Sequence, residues 1–105
     1  MLFRSLFGGD TAWTTAFRNL KTARGFDLAI MPVGAYNPWI HYHATPEQAW
    51  RMANDAGADR FLPIHHQTFA LSSEPYLEPI ERVLTASGTE PDRVVVQRIG
   101  QEFRA

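Results

Sequence analysis

The sequence has 105 residues, with 10 Lys plus Arg against 11 Asp plus Glu, a formal charge of −1, and 45% hydrophobic against 20% charged residues. A chain of this length buries roughly two-thirds of the surface that its unfolded form exposes, enough for one modest core, so a single unit over residues 1–105 is expected rather than two domains. Arg4, Arg18, Arg51 and Arg98 are scattered among acidic residues, which leaves no basic stripe for nucleic acid, and the absence of cysteine excludes disulfides, thiolate metal sites and a Cys nucleophile.

Residues 1–7 are apolar but are interrupted by Arg4 and stopped by Gly8-Gly9-Asp10, too early for a signal-peptide core. They read as a strand, and the chain is expected to be cytoplasmic. Phe17, Leu20 and Ala23 recur at helical spacing between Thr11 or Thr14 and Gly25, which predicts a helix over 12–24. Residues 27–33 form a near-continuous apolar run, the pattern of a strand covered on both faces. The longest such stretch, 28–35, contains Pro32 and Gly34 and is far shorter than the roughly 20 residues that span a bilayer.

A loop with Trp39, His41 and His43 leads to Thr45-Pro46-Glu47-Gln48. That run has a capping hydroxyl, Pro at the first helical position and Gln at the third, and so predicts a helix over 46–56 stopped by Gly57. Residues 60–64 read as a strand that delivers His65-His66-Gln67-Thr68 at its end. Ser72 or Ser73 precedes a helix expected over 74–87, with Pro79 confined to its first turn and Gly88 as its stop. Val94-Val95-Val96 and Ile99 predict a closing strand over 93–99. The fold class is α/β, alternating β-α-β-α-β-α-β, with one sheet and the helices on one face.

All four histidines fall in two places, His41 with His43 and His65 with His66, each in a loop beside an apolar strand. Neutral imidazole binds zinc and titrates near neutrality, so these positions suit metal ligation or acid/base work. Two solvated loop pairs would look the same. Asp10 is either an N-cap or Asx-turn residue or a carboxylate aimed over the sheet edge, with Gly8 and Gly9 allowing close approach. Tyr36, Trp39 and Trp50 either line a ligand pocket or pack on the core. Glu74, Glu78 and Glu81 lie at helical intervals and are expected to form a solvated face.

Five segments occur together in one order: Phe7-Gly8-Gly9-Asp10-Thr11, the run from Asp27 to Tyr36, His43-Ala44-Thr45-Pro46-Glu47-Gln48-Ala49, Ile64-His65-His66-Gln67-Thr68-Phe69 and Tyr76-Leu77-Glu78-Pro79. The combination resembles the metallo-β-lactamase-fold hydrolases. Within them it resembles the N-acylphosphatidylethanolamine-hydrolysing phospholipases D and, more distantly, the ascorbate-phosphate lactonases. The resemblance implies two zinc ions that generate a hydroxide at neutral pH and polarise a phosphoryl or carbonyl oxygen.

By the same resemblance Asp10 and His65 are expected as metal ligands and His43 as a catalytic residue near the substrate. Tyr36 and His66 are the expected substrate contacts, and His66 and Gln67, which replace Trp and Gly, make that pocket more polar than in the phospholipase. The family's His-x-His-x-Asp-His motif does not occur in residues 1–105. The resemblance is therefore to the C-terminal half of the αβ/βα fold alone, a partial domain in which the metal site is incomplete. A fragment, a separate subunit and an inactive remnant all fit that reading. Its implied partners are an N-terminal half or a second copy of the chain, together with a small-molecule or phospholipid-like substrate. A non-catalytic, self-associating or assembly domain is the reading from a different class.

Overall fold

The computed structural model describes residues 2–104; Met1, the expected start of the first strand, lies outside them. Three strands, β1 (Ser5–Phe7), β2 (Phe26–Pro32) and β3 (Ala58–Ile64), form one parallel sheet in the order β1-β2-β3. Ser5 pairs with Leu28 and Phe7 with Ile30, while Ile30 pairs with Leu62 and Pro32 with Ile64. Two α-helices follow β2 and β3, α1 (Pro46–Asp55) and α2 (Glu78–Ala86). Among the described residues no helix is long and apolar enough to cross a membrane.

Side chains alternate along a strand, so β2 presents Ala29 and Met31 to one face and Leu28 and Ile30 to the other. Ala29, Met31 and Val33 join Phe61 of β3, Met52 of α1 and Val83 of α2 in a single buried cluster, which Phe17 completes from the β1–β2 connection. α1 packs on β2 and β3, and α2 packs on α1. The start of α1 forms as its residues dictate. The Thr45 hydroxyl accepts from the Gln48 amide at 3.1 Å, and the Gln48 side chain accepts from the Thr45 amide at 3.0 Å. Loss of such a cap costs about 1 kcal/mol.

Two expected elements are corrected. In place of a helix over 12–24 there is a short 3-10 helix, Ala16–Leu20. Only Phe17 of it reaches the core, and Leu20 is exposed. Thr14 and Thr22 turn their hydroxyls onto the Ala16 and Gly25 amides instead, a local alternative to helical hydrogen bonding. In place of a strand over 93–99 there is one bridge, Phe61 to Val94, with the Val95 amide donating to the Phe61 carbonyl at 2.8 Å. The N–H and C=O of one strand residue point to the same side, so the next β3 residue facing this edge is Pro63, which has no N–H to give. The ladder stops there, and Val96 turns away with φ 54°.

The third helix is shorter than expected. It begins at Glu78 rather than at residue 74, with Leu77 as its N-cap and no side-chain cap from Ser72 or Ser73. The alternating order of elements is thus kept, with its first helix reduced to one 3-10 turn and its last strand to a bridge.

The opposite face of the sheet is less well covered. Phe7, Ile30 and Leu62 stand in one cross-strand row, and none of the three belongs to the core cluster. Phe7 is 69% exposed. Beyond them Leu62 and Ile64 border a groove of about 300 Å³, closed on its far side by Val96, Arg98 and Ile99.

Candidate functional site

All three strands run in parallel, so their C-terminal ends share one edge, and the loops that leave it carry Asp10, Tyr36, His43 and His65. Asp10 follows the Gly8-Gly9 turn, where Gly9 has φ 61°, and is exposed. His65 directly follows β3 and adopts φ 65°, a conformation uncommon for a residue with a side chain. Its ring stacks on that of His43, with centroids 5.1 Å apart and planes inclined by 18°.

The β2–α1 loop fixes the other side of His65. The Val33 amide donates to the Ile64 carbonyl at 3.0 Å, which holds the ends of β2 and β3 together. The His65 Nδ1 then lies 3.3 Å from the Gly34 carbonyl oxygen. A carbonyl only accepts, so Nδ1 carries the proton in this contact, and in the neutral ring that leaves the lone pair on Nε2. Gly34 permits the approach: a Cβ there would overlap the His65 carbonyl oxygen. His43 leaves its Nδ1 buried with no hydrogen-bond partner among the described atoms.

His66 turns the other way. Its Nε2 donates to the Pro63 carbonyl at 3.2 Å, and its Nδ1 accepts from the Gln67 amide group at 3.1 Å. Burial lowers its pKa against a smaller opposing effect of the Pro63 bond, which favours the neutral ring. The Gln67 amide group also donates to the Gln97 carbonyl at 2.9 Å, tying the C-terminal segment to the site. His66 borders both the groove on the open sheet face and a smaller pocket of about 70 Å³ walled by Gly34, His65, Leu71, Glu74 and Tyr76. His41 is exposed and takes no part in the stacking.

Tyr36 is buried, its hydroxyl donates to Glu78, and the Arg82 guanidinium lies 4.7 Å above its ring. Burial first and the Glu78 bond second push its pKa well above the ordinary phenol range. The expected solvated face of glutamates is also corrected. Glu78 holds Tyr36, and Glu74, which lies before α2 rather than on it, accepts from the Ala35 amide at 3.0 Å and the Asn37 amide at 2.9 Å. Burial works to raise the Glu74 pKa, and hydrogen bonds from Ser72, Asn37 and Ala35 outweigh it, so the carboxyl sits below its usual range. Helical spacing puts Glu74 on the solvated face of a helix from residue 74, and the Pro75 that follows it is the signal of a loop instead.

Among the described residues no three His, Asp or Glu side chains are grouped as a metal site. A catalytic zinc centre commonly takes three protein ligands with one open position. The residues present therefore do not make a complete centre. The donor that fits is His65, with Nδ1 held by a carbonyl and Nε2 free, the arrangement usual for a ligating imidazole.

Residues 3–66 match the family model described as the beta-lactamase superfamily domain. An uncharacterized protein of Mycobacterium tuberculosis is 42% identical over 98 residues, which are 89% of this chain and 26% of that protein. The mitochondrial N-acyl-phosphatidylethanolamine-hydrolyzing phospholipase D of Saccharomyces cerevisiae is 33% identical over 101 residues, 89% of this chain and 22% of its own. A Caenorhabditis elegans N-acyl-phosphatidylethanolamine-hydrolyzing phospholipase D is 34% identical over 86 residues, 76% of this chain and 24% of its own. The chain spans about a quarter of the length of these curated relatives.

Proposed function

This chain belongs to the β-lactamase superfamily, and we propose that it is the C-terminal half of a zinc-dependent metallo-β-lactamase-fold hydrolase acting on a phosphodiester or lactone. Residues 1–105 are read as one partial domain that needs a complementary half carrying the His-x-His-x-Asp-His motif. The observation that carries this reading is the stacked His43–His65 pair at the C-terminal edge of the sheet. Parallel α/β sheets bind ligands at that edge.

In this reading His65 presents its Nε2 and Asp10 its carboxylate toward the shared centre, and the remaining ligands come from outside the chain. His43, with its buried and unpartnered Nδ1, is the group placed to hold or move a proton beside the substrate. His66 offers a neutral polar wall to the substrate pocket. Tyr36, the other substrate contact of this reading, has its hydroxyl taken up by Glu78. The named activity of the yeast and nematode relatives supports a phosphodiester as the first substrate class to try.

The row of Phe7, Ile30 and Leu62, in which Phe7 is exposed and the other two are half-buried, supports the need for a partner on that face of the sheet. The same row favours a second reading, a non-catalytic domain that associates with its own copies through this face. Co-expression with a family N-terminal half, followed by a phosphodiesterase assay with zinc, separates the two. The hydrolase reading expects activity in the pair only, reduced more than about 100-fold by His65→Ala, beyond what loss of an outer-shell partner costs. A stable homodimer that ignores the offered half and hydrolyses nothing would favour the assembly reading.

A further inference from the structure

Two loops that are distant in sequence meet over the His43–His65 pair. One leaves β2 as Gly34-Ala35-Tyr36-Asn37 and runs on to His43; the other runs from His65 to the start of α2 and carries Ser72, Ser73 and Glu74. They are joined at three points: Glu74 accepts from the Ala35 and Asn37 amides, and the Ser73 amide donates to the Asn37 carbonyl at 2.7 Å. The Ser72 hydroxyl donates to the same carboxylate and holds it in place. Ala35 has φ 61°, a conformation that costs a residue with a Cβ energy and persists where surrounding contacts enforce it. The residue just before it, Gly34, offers its carbonyl to His65 Nδ1.

The geometry points to Glu74 as the positioning residue of the site: by holding the Ala35 and Asn37 amides, its carboxylate sets where the Gly34 carbonyl meets His65 and where the His43 ring stands. A carboxylate is suited to this because each of its two oxygens accepts from one amide. Glutamine at the same position has one accepting oxygen and would turn an NH2 group toward an N–H, so one of the two tethers is lost. Only the consequence for turnover rests on the hydrolase reading; the positional role does not.

The test is made on the chain itself, labelled with 15N, at a pH where both imidazoles are neutral. Long-range 1H–15N spectra report which His65 nitrogen bears the proton, and amide exchange reports the tethers. In the unsubstituted chain His65 is expected as the Nδ1–H form, with slow exchange at Ala35 and Asn37. Glu74→Gln should move His65 toward the Nε2–H form and speed exchange at Ala35 and Asn37 at least tenfold, with the core amides of Met52 and Phe61 unchanged. Glu74→Asp, which keeps the charge but is one methylene shorter, should give a smaller shift in the same direction and decides the matter if Glu74→Gln does not fold.

A folded variant in which the His65 tautomer and the His43 ring contact stay as in the unsubstituted chain overturns the assignment, whatever its thermal stability. In the reconstituted pair, Glu74→Gln is further expected to lower kcat about 10–100-fold with little change in KM. The tautomer is read without turnover, so failure of the hydrolase reading and failure of this one give different results.

Discussion

Replacing Gly34 with alanine is expected to destabilise the chain by about 3 kcal/mol and to part His65 from its carbonyl partner. The added Cβ would overlap the His65 carbonyl oxygen, and the obstacle is backbone, which cannot swing aside as a flexible side chain does. Neither side has room to yield. Val33 is tied to Ile64 directly before the contact, and His65 already sits at φ 65°. Overpacking in well-packed surroundings typically costs 1–3 kcal/mol, and this site lies at the upper end of about 3 because both partners are held. Urea denaturation measures the loss, and the His65 ring resonances report the parting. A Gly34→Ala variant as stable as the parent, with those resonances unmoved, would mean that the ends of β2 and β3 do not approach as described.

Phe61→Ala is expected to have the larger effect on folding, about 3–5 kcal/mol. Phe61 is 1% exposed and is the largest of the fully buried side chains. It stands between the layers: Trp50 of α1 lies against it at 5.5 Å between ring centroids, and its backbone carries the only bridge to the C-terminal segment among the described residues. The total stability of a domain is commonly about 5–15 kcal/mol, so this one truncation removes a large share of it. Thermal unfolding should show the lowered midpoint. Loss of less than about 1 kcal/mol would place the core elsewhere.

Residues with a local physical cause behaved as their sequence implies. The Thr45-Pro46-Glu47-Gln48 start forms its capping box, and Gly57 follows the end of α1 with φ 79°. The strands over 27–33 and 60–64 appear as Phe26–Pro32 and Ala58–Ile64 because their apolar runs find cover from α1. Segments decided by long-range contacts were not legible. The Val94-Val95-Val96 run has strand propensity, yet its pairing depends on the missing N–H of Pro63 on another strand. Thr14, a cap candidate by sequence, instead takes the Ala16 amide in a local turn, as Thr22 takes the Gly25 amide.

The site divides in the same way. His43 and His65 are separated by 21 residues of loop, helix and strand, and their nearness is legible because each flanks a strand expected to end on the same side of the sheet. Which member of each histidine pair turns inward is set by backbone that no local pattern announces. A left-handed φ at His65 sends its ring to His43 and leaves His66 to bond Pro63 and Gln67. Glu74 was hidden for a similar reason: its partners, the Ala35 and Asn37 amides, lie 39 and 37 residues away in sequence.

The central claim is that this chain supplies part of a metal centre and not the whole of it. Equilibrium dialysis against micromolar zinc, with metal analysis of the retained protein, tests that directly for the chain alone and for the chain paired with a family N-terminal half. The pair is expected to retain zinc in stoichiometric amount, with the chain alone retaining well under one ion per molecule and Asp10→Ala or His65→Ala lowering the retention of the pair. Stoichiometric zinc on the isolated chain, together with hydrolysis of a phosphodiester unaided, would contradict the account.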